Sequence, residues 1–99
     1  MNLEHHIPVN QLCKHYEIET SFIVNLSEFG LIEIYSVKET NYIHEEKISD
    51  VEKMIRLHHE LGLNVEGIDV AINLLQKIEN LQSRLTMMEN RLKIHEEDF

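Results

Sequence analysis

The last third of this 99-residue chain carries a heptad seam that the remainder is too small to cover. From Ala71 the seam runs Ala71, Leu74, Ile78, Leu81, Leu85, Met88 and Leu92, with His95 next in register. The alternating spacing of three and four is that of a coiled-coil stripe, and no Pro or Gly interrupts it after Gly67. A helix from Val65 to Glu96 would span roughly 48 Å. The ~60 residues before it make a globule with a radius of gyration of only about 10 Å. Half of the seam must therefore find its cover on another chain, which predicts an assembly or interaction protein. Leu74, Ile78, Leu81, Leu85, Met88 and Leu92 are the expected dimer interface, and a core of this size gains stability from such pairing.

Start and stop signals divide the rest into short elements. Pro8 suits a first helical turn, and Val9, Leu12, Cys13 and Tyr16 follow at amphipathic spacing. After a turn at Glu17–Glu19, Thr20 or Ser21 is placed to cap a second helix that turns Phe22, Ile23, Leu26 and Phe29 inward. Gly30 then supplies the left-handed stop. Two short helices joined by a tight turn predict a helix-turn-helix. Alternation from Leu31 to Val37, the polar turn Lys38–Asn41 and the return Tyr42, Ile43, His44 predict a small hairpin wing. Ser49 and Glu52 have the spacing of a capping box for a third helix. That helix buries Val51, Met54, Ile55, His58 and Leu61, and Gly62 stops it. Asn64 caps the long fourth helix, with Glu66 in its first turn. The fold class expected is mainly α: a winged helix-turn-helix body with its third helix over residues 1–62, and a dimerisation helix over residues 63–99, in a single structural unit.

Charge narrows the choice of partner. Lys plus Arg number 9 and Asp plus Glu 18, a net charge of −9. Residues 1–50 hold three basic side chains (Lys14, Lys38, Lys47) against nine acidic, a net of −6. Such a surface repels phosphate and anionic lipid and attracts basic partners. The lone Cys13 excludes an intrachain disulfide and suits a reducing compartment. No apolar run approaches 18 residues and Met1–His6 is polar, so a soluble cytoplasmic protein is expected. No nucleophile elbow, glycine-rich phosphate loop or His/Cys zinc spacing is present, which argues against an enzyme, a cofactor and a metal site. His5-His6 is expected in a frayed terminus, and His58, on an apolar stripe, as a core histidine.

The order of elements is similar to that of MerR proteins: helix-turn-helix, a Gly-Leu step into a wing, a capped helix, a Leu-Gly-Leu-Asn turn and a dimerising helix. The run Arg56-Leu57-His58-His59-Glu60-Leu61-Gly62-Leu63-Asn64-Val65-Glu66-Gly67-Ile68-Asp69-Val70-Ala71 further resembles the chaperone-modulator proteins of the CbpM family. The resemblance spans about residues 7–93. It implies a dimeric MerR-like fold that binds the J-domain of a DnaJ-like, CbpA-type co-chaperone and inhibits its stimulation of a DnaK-type chaperone. It also implies an antiparallel pairing of the long helices.

The alternative is a MerR-type DNA-binding transcriptional regulator, and the residues argue against it. Phosphate neutralisation needs several Lys or Arg per half-site, yet none occurs between Lys14 and Lys38. The basic and aromatic residues of a MerR recognition helix would fall near Val24 and Asn25, and the wing arginine after Tyr42 is replaced by Ile43, His44, Glu45 and Glu46. No nucleic acid and no membrane are therefore expected as partners. An acidic face suits the basic J-domain surface that the resemblance implies. The candidate partner-contacting carboxylates outside the apolar stripes are Glu28, Glu33, Glu39, Glu45, Glu46, Asp50, Glu52 and Glu60. Val24 and Ile43 are candidate apolar hot spots beside them, and Arg56 is a further candidate, free to pair with Glu52 or Glu60 at i±4.

Overall fold

The computed structural model describes residues 3–97. Its elements are β1 (His6–Pro8), α1 (Val9–Tyr16), α2 (Thr20–Glu28), β2 (Tyr35–Val37), β3 (Thr40–His44), a single 3-10 turn (Glu45–Lys47), α3 (Ile48–Leu61) and α4 (Val65–Glu97). They form two compact units that divide between Asp69 and Val70.

The first unit is a winged helix-turn-helix body. Val9, Leu12 and Cys13 of α1 and Phe22, Ile23 and Leu26 of α2 are buried, as the apolar spacing requires. Val51, Met54 and Ile55 of α3 and Val65 and Ile68 at the start of α4 complete the core with Ile32 and Ile43. Helix α2 ends where the sequence says it should. The Gly30 N–H reaches the Ser27 carbonyl and the Leu31 N–H the Leu26 carbonyl, a closure that needs the left-handed φ of +76° at Gly30. Gly62 closes α3 in the same way, with φ +66° and its N–H on the His58 carbonyl.

The wing is a three-stranded antiparallel sheet in the order β1-β3-β2. β1 was not expected. His6, Ile7 and Pro8 pair with His44, Ile43 and Tyr42, so His6 lies in a sheet and not in a frayed end. Pro8 closes the strand and sits just before α1, in extended geometry. The hairpin is tighter than its sequence suggested. Tyr35–Val37 pairs with Thr40 to Tyr42 across Lys38 and Glu39, which both have positive φ, the geometry of a primed two-residue turn. Leu31–Ile34 is no strand but the bend that follows α2, with Ile32 buried beneath it.

Two caps differ from expectation. α2 follows Glu19, and neither Thr20 nor Ser21 caps it; Thr20 turns its hydroxyl to the buried Cys13 sulfur instead. α3 begins at Ile48 without a side-chain cap, so Ser49 lies inside it. Glu52 faces Tyr16, whose hydroxyl donates to its carboxylate. Phe29 and Leu61 are also not core residues, at 50% and 67% exposed. Both occupy the ends of their helices, beyond the reach of the stripe that buries Leu26 and Met54. Asn64 does cap α4: its Oδ1 accepts the Gly67 N–H at 2.8 Å. His58 is half-buried, stacked on Phe22 with centroids 4.4 Å apart, and its Nδ1 lies 2.7 Å from the Leu63 carbonyl.

The second unit is the remainder of α4, one helix through all the expected heptads. Every residue from Asn73 to His95 is exposed, including Leu74, Ile78, Leu81, Leu85, Met88 and Leu92 on the seam. No helix among the described residues is long and apolar enough to cross a membrane.

Candidate functional site

The helix-turn-helix places α2 where a DNA-reading protein would carry its recognition helix, and its solvent face is Thr20, Ser21, Asn25 and Glu28. No basic side chain is on it. Val24 is half-buried on its flank. Ile43 is not a partner contact: it is fully buried, opposite Ile7 in the centre of the sheet. The addition of β1 makes β3 the middle strand, and the strand alternation then turns Ile43 into the core.

Most of the remaining candidates fall into two neighbourhoods. In the first, a groove of about 390 Å³ runs between the bend after α2 and the start of α3. Its floor is Leu31 and Ile32, its walls include Tyr35 and His44, and its charged groups are Glu33, Glu46 and Asp50 against Lys47. The Tyr35 hydroxyl donates to Glu33 at 2.7 Å. This bond to the carboxylate, reinforced by its charge, raises the Tyr35 pKa above the ordinary phenol value. Glu45 stands at the rim, held by His5 Nδ1 at 2.8 Å and by its own N–H to the His5 carbonyl at 2.7 Å.

The second neighbourhood is a smaller depression of about 200 Å³ lined by Tyr16, Glu52, Ile55, Arg56, His59 and Glu60. The hydrogen bond to Glu52, then partial burial, then the carboxylate charge raise the Tyr16 pKa. Arg56 and Glu60 are exposed, and Arg56 pairs with neither Glu52 nor Glu60. Val24, Glu28 and Glu39, the last in the hairpin turn, belong to neither neighbourhood.

Sequence reasoning missed Tyr16, Tyr35, His5, His6 and His44 as members of these surfaces. Only the short His6–Pro8 strand could have pointed to the last three, and its partner lies almost forty residues away. No group of three or more His, Cys, Asp or Glu among the described residues is arranged to hold a metal ion.

The model of the MerR HTH family regulatory proteins matches residues 7–90. The chain belongs to the MerR family. Over nearly its whole length this MerR protein is also similar to the chaperone modulatory protein CbpM. The match to CbpM of Pseudomonas putida KT2440 is 26% identical over 87 residues, 87% of this chain and 86% of the relative. CbpM of Pseudomonas entomophila is 23% identical over the same shares. CbpM of Escherichia coli O139:H28 is 27% identical over 85 residues, 85% of this chain and 84% of the relative. The expected resemblance, to a MerR-like fold of the CbpM kind, is thus found by sequence comparison as well as in the architecture.

Proposed function

We propose that this MerR-family protein is a chaperone modulator. It pairs into a homodimer through α4 and docks its acidic winged-helix body on the basic face of a J-domain. The J-domain belongs to a DnaJ-like, CbpA-type co-chaperone, whose stimulation of a DnaK-type chaperone is thereby inhibited. The observation that carries this reading is the chemistry of the elements that would face DNA. The recognition-helix position presents Asn25 and Glu28, and the groove beside the wing presents Glu33, Glu46 and Asp50. A DNA backbone would release almost no counterions from such a face, whereas a basic protein surface is steered towards it. The similarity to CbpM proteins supports the choice of partner. The body keeps the MerR scaffold while the side chains that read DNA are replaced.

Calorimetry against a cognate J-domain is the test. Binding should be present at low salt and weaken as added salt shortens the Debye length from about 10 Å at 0.1 M. A J-domain that does not bind, in a dimeric and folded preparation, refutes the reading. Family membership favours the second reading, a MerR-type DNA-binding regulator. Anisotropy against a random duplex pool at low salt decides between them, and a selected consensus with submicromolar affinity would replace the chaperone reading.

A further inference from the structure

Three histidines converge on the edge of the acidic groove, brought together by the pairing of β1 with β3. His6 and His44 are directly opposed across the strands, with ring centroids 4.9 Å apart and edge to face. His5 lies 6.5 Å from His44 by the same measure. Their hydrogen bonds are not equivalent. His5 Nδ1 faces the Glu45 carboxylate at 2.8 Å and His6 Nδ1 faces the Glu4 carbonyl at 3.0 Å. Both nitrogens meet acceptors, so each carries a proton and donates. His44 Nδ1 instead accepts the Glu46 N–H at 3.1 Å and caps the 3-10 turn Glu45–Lys47. It must be unprotonated to do so, with the neutral ring's proton on Nε2.

From this asymmetry we infer that His44 is a proton-operated latch on the turn that presents Glu45 and Glu46. An imidazolium has protons on both ring nitrogens and cannot accept. Protonation of His5 or His6 leaves their Nδ1 contacts intact, but protonation of His44 breaks its contact with Glu46. The titratable and charged groups around His44 are Glu33 before β2, Glu46 and Lys47 in the turn, Asp50 in α3, His6 on β1, His5 before it and Tyr35 on β2. Histidine is the side chain whose ordinary titration falls between pH 5 and 8. Protonation of His44 therefore releases the turn and adds positive charge to the docking face. Both effects weaken a basic partner's hold. The regulatory consequence rests on the docking reading above; the latch itself does not.

The experiment has two arms on the full chain. In the first, the Glu46 amide is followed by NMR from about pH 7.5 to pH 5.5. The resonance should move with the His44 ring as the hydrogen bond is lost, and should stay still in His44→Asn, whose side-chain oxygen caps without titrating. Circular dichroism confirms that the variant is folded. In the second arm, J-domain affinity falls about fivefold more over that range in the wild type than in His44→Asn, the worth of one ordinary hydrogen bond. An unmoving Glu46 amide in the wild type, or the same movement in His44→Asn, overturns the latch. An amide that moves while the affinity of a bound J-domain stays constant overturns its regulatory role. If the amide behaves as stated and no J-domain binds at either pH, the latch stands and the docking reading falls.

Discussion

Replacing Leu85 by Asp tests the assembly on which the proposed function depends. Leu85 sits at a heptad core position of α4 and is 58% exposed in the single chain. Full burial of a leucine side chain is worth ~1.5–3 kcal/mol, so covering the exposed part contributes about 1–1.5 kcal/mol. A symmetric dimer contains the position twice, which brings the lost burial to ~2–3 kcal/mol. The substituted carboxylates would also enter a seam without partners, at several kcal/mol per ion even after relaxation. The dimer should therefore weaken by more than ~4 kcal/mol, about a thousandfold in Kd. The same substitution on an exposed helix costs the monomer only about 0.5 kcal/mol in helix propensity. Sedimentation velocity should then show a monomer, and circular dichroism a body that is still folded. Gln82→Asp, exposed and outside the seam, is the matched control and should stay dimeric. An unchanged dimer for Leu85→Asp, or a wild type that is monomeric at high micromolar concentration, refutes the reasoning.

Three further outcomes are expected. Glu45→Lys with Glu46→Lys should slow J-domain association, most at low salt, and leave sedimentation and helicity unchanged; stopped-flow association rates check this. Ile43→Ala should destabilise the body by about 2–5 kcal/mol in urea unfolding, because a fully buried side chain leaves a cavity; a loss below about 0.5 kcal/mol would restore Ile43 as a surface residue. The raised Tyr16 pKa gives its hydrogen bond to Glu52 a defined pH window. A phenol with a folded pKa above its unfolded value of 10.0 contributes stability that is complete below pH 10.0 and is lost as pH rises through the higher folded value. In Glu52→Gln the alkaline absorbance titration of Tyr16, separated from Tyr35 and Tyr42 by a Tyr16→Phe difference, should shift towards lower pH.

Local and periodic features were legible in the chain before any fold was known. The α4 register from Ala71 to His95, the stops at Gly30 and Gly62, and the Asn64 cap each depend on residues within one or two turns of one another, where spacing and backbone freedom decide the outcome. So does the charge of the recognition-helix position, since no Lys or Arg lies between Lys14 and Lys38 in any fold. The groove's makeup needed the tertiary structure. His6–Pro8 is too short to announce itself as a strand, and it acquires meaning only through pairing with β3. That pairing makes β3 central, turns Ile43 inward, sets His6 against His44 and lets Glu45 close on His5. Glu52 has the spacing of a helix cap but faces Tyr16 on α1, because α3 starts one residue before Ser49 and the packing of α1 and α3 offers a phenol to its carboxylate. In each case the deciding contact joins groups more than thirty residues apart. Chain-local propensities cannot choose such contacts, because the entropy of closing the loop is offset only when the whole body packs at once.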